Sequence, residues 1–209
     1  MSDFYIKIRY RGKLKQPNDV YQLIKETEDI CRTNGWQYRV WDEDWSQPES
    51  LSMQGSIEGL NFEGHAPLKG ISLTIGETET IWLTFLPDGL LQSLLTIVDP
   101  TFFLEDAAFP WQRAKTGYDG ATTHLALCKL LRYLANKYFA VFEVLDESGY
   151  WEHGNDAKFT KWINTAIENH DLFSKGLDAI YSDTSLSKEE RGNKLRQLGK
   201  KFGTKRYKK

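Results

Sequence analysis

Apolar and polar positions alternate from the start of the chain. Phe4, Ile6, Ile8 and Tyr10 alternate with Tyr5, Lys7 and Arg9, and this period of two predicts a half-buried strand over 4–10. The segment from Gly12 to Pro17 breaks the pattern. Val20, Leu23, Ile24, Thr27, Ile30 and Cys31 then recur every three or four residues, which predicts an amphipathic helix over 18–34. Pro17 suits its first turn, and Asn34-Gly35 suits a left-handed cap. Alternation returns at Trp36, Tyr38 and Val40, predicting a strand over 36–42 with Trp41 on the opposite face.

Four glycines and two prolines fall between residues 46 and 70. So long a tract without structure is unusual in a folded domain, which predicts a short strand near Ile57 to Phe62. A hairpin follows, with Ile71, Leu73 and Ile75 on one strand and Ile81, Leu83 and Phe85 on the other, closed by Gly76 to Glu79. Pro87-Asp88-Gly89 ends it in a turn. From Leu90 to Gly120 helical spacing competes with β-branched residues and Pro100, and the segment stays ambiguous. Leu127, Leu130, Leu131, Leu134 and Tyr138 mark a strongly apolar helix over 121–138. The run FAVFEVL at 139–145 reads as a central strand covered on both faces. Asn155 or Asp156 caps another helix, with Phe159, Trp162, Ile163, Ala166 and Ile167 on one face. Ser187 and Glu190 form a capping box opening a last, marginal helix.

The sum predicts an α+β fold, a mixed or antiparallel sheet with helices packed on it. The strands at 4–10, 36–42, 81–86 and 140–145 and the helices at 18–34 and 121–138 are compatible with a ferredoxin-like, split β-α-β layer carrying added strands and C-terminal helices.

Composition narrows the class. The chain has 209 residues, 40% of them hydrophobic, with 7 Trp, 10 Tyr and 11 Phe, enough packing area to exclude global disorder. No apolar run approaches the roughly 18 residues that span a bilayer. Asp3, Lys7 and Arg9 fall where a signal peptide needs an uncharged core. Cys31 and Cys128 are too few and too far apart for a disulfide framework. The expectation is a cytoplasmic protein with no membrane association.

A net charge of −2 conceals an asymmetry. Residues 186–209 hold ten Lys and Arg against two Glu, a balance of +8, which leaves −10 for residues 1–185. The expected organisation is one acidic α+β domain over 1–185 and a basic helix and tail over 186–209, mobile from Gly203 onward.

No phosphate-binding glycine loop, dinucleotide fingerprint, His-Glu-x-x-His, Cys-x-x-Cys or Gly-x-Ser-x-Gly is present, so no cofactor is implied. The densest chemistry lies at 143–156, where Glu143, Asp146, Glu147, Glu152 and His153 could bind a divalent cation or exchange protons. The alternative is that these groups end a strand and cap a helix. Asp42-Glu43-Asp44 is a second acidic cluster. His124 and Cys128 are spaced to face one metal, but two ligands do not make a site, and the expectation is buried, hydrogen-bonded side chains with no metal.

Trp41, Trp45, Trp111, Tyr118 and Trp151 are the candidate binding aromatics, because Trp and Tyr join a large area to a polar handle. The leading expectation is a non-catalytic, Trp-rich module that uses aromatic loops and an acidic face to engage a protein partner, an inhibitor or immunity-type role against a basic partner fitting that charge. The alternative is a divalent-metal-dependent enzyme using the carboxylate/His loop at 143–156. Nucleic acid is expected only through the basic tail.

Overall fold

The computed structural model describes residues 4–56, 59–102 and 108–202. In chain order the elements are β1 (Ile6–Leu14), α1 (Asp19–Asn34), β2 (Gln37–Asp42), β3 (Ser52–Ser56), β4 (Gly59–Glu63), β5 (Lys69–Thr74) and β6 (Ile81–Phe85). They continue with β7 (Leu91–Gln92), α2 (Leu94–Val98), β8 (Gln112–Thr116), α3 (Ala121–Tyr138), β9 (Phe139–Asp146), α4 (Tyr150–His153), α5 (Asp156–Ser182) and α6 (Lys188–Phe202). The fold is α+β, with antiparallel sheets and helices packed on them.

The strands form a sheet ordered β8-β1-β9, a sheet ordered β2-β5-β6-β7, and the hairpin β3-β4. β1 is antiparallel to both its neighbours, so β8 and β9 run parallel and α3 is the crossover between them. This split β-α-β differs from the expected one. β1 and β9 share one sheet while β2 and β6 lie in the other, because β8 and β9 occupy both edges of β1. Sequence reading missed β8 because its inward residues, Gln112, Ala114 and Thr116, are small or polar although all are buried.

Three further expectations are corrected. β1 runs through Gly12 to Leu14, since Gly12 lies under Phe139 and Phe142, where a Cβ would stand 2.5 and 2.8 Å from their rings. β9 is an edge strand, with Val141 and Leu145 47% and 43% exposed. On β2, itself an edge strand, Val40 is 40% exposed while Trp41 is half-buried, its indole N–H donating to Ser72 Oγ at 2.9 Å.

The helices follow the sequence closely. α1 ends at Gly35, whose φ of 68° is left-handed. α3 buries Leu127, Leu130, Leu131, Leu134 and Tyr138, and α5 buries Phe159 and Ile163. These side chains join Ile6, Ile8 and Tyr10 of β1 and Ile71, Leu73, Ile81 and Leu83 of the second sheet in one core. Ala66, Leu68 and Ile97 form a small satellite. α6 opens with the Ser187–Glu190 capping box and folds back on α5. Phe62 lies on β4, whereas Ile57 and Glu58, which the expected strand included, lie outside the described residues. So do the tail from Gly203 and residues 103–107 of the ambiguous stretch.

Candidate functional site

Alternation along β1 sends Ile6, Ile8, Tyr10 and Leu14 into the core and Lys7, Arg9, Arg11 and Lys13 to the other face. The register sets Lys7 beside Lys115 and Arg9 beside Arg113 on β8, and Arg9 beside Leu145, Arg11 beside Glu143 and Lys13 beside Val141 on β9. This outer face therefore gathers six cations within residues 1–185, the part of the chain that is acidic overall. Glu143 pairs with Arg11 at 2.7 Å, Asp88 with Lys13 at 3.0 Å, and Glu79 with Lys115 at 3.3 Å and Arg113 at 3.9 Å. Aromatic rings are interleaved with the charges. The Arg11 guanidinium stands 4.3 Å from the Trp111 ring centre and 4.8 Å from that of Phe109, and Lys115 Nζ lies 4.7 Å from that of Tyr5. Tyr5 in turn lies 5.9 Å from Tyr118. Among the described residues no strand pairs with the second edge of β9.

A polar cluster lies beneath the opposite face. His124 is on the first turn of α3, Cys128 one turn on, Asp146 at the end of β9, and Ser148 in the turn that follows. The side chains of His124 and Asp146 have no exposed surface, and Cys128, Ser148 and Thr116 are equally buried. His124 Nε2 lies 3.2 Å from Asp146 Oδ2, 3.2 Å from Ser148 Oγ and 3.5 Å from Cys128 Sγ. Its Nδ1 lies 2.7 Å from Thr116 Oγ1, and Phe159 stacks on the ring at 4.9 Å.

Asp146 also accepts the backbone N–H of Ser148 at 2.8 Å and that of Trp151 at 2.9 Å, together with the Ser148 hydroxyl. Burial alone would raise the Asp146 carboxyl, but the hydrogen bond and charge of His124, with Ser148 and Trp151, outweigh it and hold it below the usual range. Burial, reinforced by the Asp146 charge, pushes the Cys128 thiol well up.

The acidic loop does not converge. Glu143 and Asp146 are three residues apart on one strand and face opposite sides of the sheet. Glu147 accepts the Lys7 backbone N–H at 3.3 Å, and Glu152 and His153 are exposed on α4. Asp156 holds Lys129 and the Tyr150 hydroxyl. Asp42 pairs with Lys69 on the other sheet, so the two acidic clusters form no common site.

The aromatic candidates are divided too. Trp111 and Tyr118 border the basic face. Trp41 packs on Trp82 at 5.4 Å under the Arg39 guanidinium. Trp45 is half-buried near Lys69. Trp151 packs beside Phe142 and Arg132. Sequence reading found the His124–Cys128 spacing but missed Asp146 as its third member, and it missed the basic face altogether. The cationic alternation Lys7, Arg9, Arg11, Lys13 was the available signal for that face.

Among the described residues no helix is long and apolar enough to cross a membrane. No protein-family model, curated protein or solved structure matches the chain.

Proposed function

We propose that this protein is a non-catalytic protein-binding module whose contact surface is the outer face and free edge of the β8-β1-β9 sheet. The observation that carries this reading is β9, an eight-residue edge strand with exposed Val141 and Leu145 beside a row of four cations on β1. An unpaired strand edge is a template for another strand. The adjoining cations select for acidic side chains in that strand, because opposite charge steers encounter and excludes wrong partners. The occupant is therefore an extended, acidic segment of a partner protein. The buried position of the His124 cluster and the dispersal of Glu143, Asp146, Glu147, Glu152 and His153 support a binding role over the alternative metal-dependent enzyme.

The test uses a short peptide alternating Glu and Val, with an otherwise identical Lys/Val peptide and oligo(dT) as controls. Hydrogen exchange of the full chain is expected to slow at those β9 amides that do not bond to β1, with the acidic peptide alone. Leu145→Glu is expected to weaken that protection. Equal binding of the Lys/Val peptide, preference for oligo(dT), or protection away from β9 would overturn the reading.

A further inference from the structure

We propose that His124, Cys128 and Asp146 form a buried structural zinc site. The ligand atoms of these three side chains converge on one buried point. When Nδ1–H of His124 donates to Thr116 Oγ1, 2.7 Å away, Nε2 presents its lone pair to a metal. Asp146 Oδ2 lies 3.2 Å from Nε2, within hydrogen-bond distance. The Ser148 hydroxyl hydrogen goes to Asp146, and its oxygen already accepts the Tyr150 N–H at 3.2 Å. That oxygen lies 3.2 Å from Nε2 and holds the carboxylate in place. The third ligand atom, Cys128 Sγ, is 3.5 Å from Nε2. A divalent cation at this point would replace the hydrogen between His124 and Asp146, which would pass to Nδ1.

The distances suit zinc. Bonds of about 2.0–2.2 Å to nitrogen and oxygen and about 2.3 Å to sulfur put tetrahedral ligand atoms roughly 3.3–3.6 Å apart. Nε2 is 3.2 Å from Asp146 Oδ2 and 3.5 Å from Cys128 Sγ, and the His, Cys and Asp ligand atoms all lie within 4.8 Å of one another. A mixed nitrogen, sulfur and oxygen set is a zinc set, too soft for magnesium or calcium.

Charge agrees as well. Binding releases the Cys128 thiol proton to solvent, and one thiolate with one carboxylate neutralises Zn2+, as a fully buried site requires. The surrounding bonds are those of a metal centre: Thr116 fixes the imidazole, and the Ser148 and Trp151 amides orient the carboxylate. No ligand is exposed, so the site has no coordination position open to substrate. Its role is to hold α3 to the end of β9 and to α4, the far side of the sheet whose outer face is proposed to bind a partner.

The test is metal loading of the full chain with Co2+, whose bond to a thiolate gives a charge-transfer absorption that hydrogen-bonded side chains cannot give. Protein refolded from chelator-treated denaturant is expected to take up one Co2+ per chain with that absorption, to lose it on adding Zn2+, and to melt at higher temperature when loaded. Cys128→Ser is expected to abolish the absorption and weaken Co2+ uptake about 10-fold or more. His153→Gln, at an exposed position outside the cluster, is expected to leave both unchanged. If Cys128→Ser does not fold, zinc X-ray absorption of the wild type decides, with one sulfur in a shell of nitrogen and oxygen expected. Wild-type protein that regains its fold with no thiolate–cobalt absorption, or a zinc shell without sulfur, would overturn the proposal.

Discussion

Tyr10 and Trp82 join the two sheets through a single hydroxyl. Tyr10 Oη accepts the Trp82 backbone N–H at 2.9 Å and donates to the Trp82 carbonyl at 3.1 Å. Trp82 pairs with Ser72 on one side of β6, while β7 reaches only Thr84 and Phe85 on the other. The fully buried tyrosine supplies the partner that β7 is too short to provide. Burial pushes its phenol well up, so the hydroxyl remains a donor at all physiological pH values.

Tyr10→Phe keeps the ring and leaves both Trp82 backbone groups without that partner. The expected cost is about 2–3 kcal/mol, the penalty for buried polar groups left unsatisfied. Urea unfolding measures it. A change below about 0.5 kcal/mol would show that water takes over both bonds.

Gly70 sits where β5 approaches β6 closely. Its φ is 148°, and a Cβ there would lie 2.2 Å from the Leu83 carbonyl oxygen and 2.6 Å from Thr84 Cα. Both obstacles are backbone, so no rotamer relieves them. Gly70→Ala is expected to cost about 2–4 kcal/mol through strain and overpacking. Gly35→Ala, with φ 68° but open space around it, is expected to cost only about 1 kcal/mol, as a left-handed cap does. Equal losses in the two variants would show that steric contact with β6 plays no part.

Glu26 ties α1 to α3. It accepts from Lys137, from the Tyr133 hydroxyl at 2.7 Å and from Gln22 at 3.1 Å. The Lys137 bond, outweighing partial burial, brings the carboxyl from its ordinary 4.5 down to about 2. A depressed folded-state value means the unfolded chain binds the proton first as pH falls. The stabilisation is therefore complete above about pH 4.5 and disappears as pH falls toward 2. Glu26→Gln is expected to lower the urea midpoint at about pH 6 and to converge with wild type near the acid end of that window. A difference that stays constant with pH would mean that packing, not charge, joins the helices.

The elements with local causes were legible in the sequence. α1, α3 and the β5-β6 hairpin each follow from side-chain periodicity and a turn or cap, which are properties of adjacent residues. The burial of Leu131, Ile163 and Leu83 needed nothing more. Neighbour choice was another matter. FAVFEVL specifies a strand but not whether one or two strands flank it, and β9 became an edge because β1 has only two sides.

Asp146 reads locally as the start of a turn, which it is. Its meeting with His124, 22 residues earlier, follows only because α3 carries the chain across β1 and returns it in register. Lys7, Arg9, Arg11 and Lys13 each looked like an ordinary solvated residue beside an apolar one. Their union with Arg113 and Lys115 into one face needed strand pairing across a separation of more than a hundred residues. Periodicity determines which side of an element is buried, because that depends on backbone geometry alone. The choice of which buried sides meet rests with the competition among long-range pairings, and only the tertiary structure settles it.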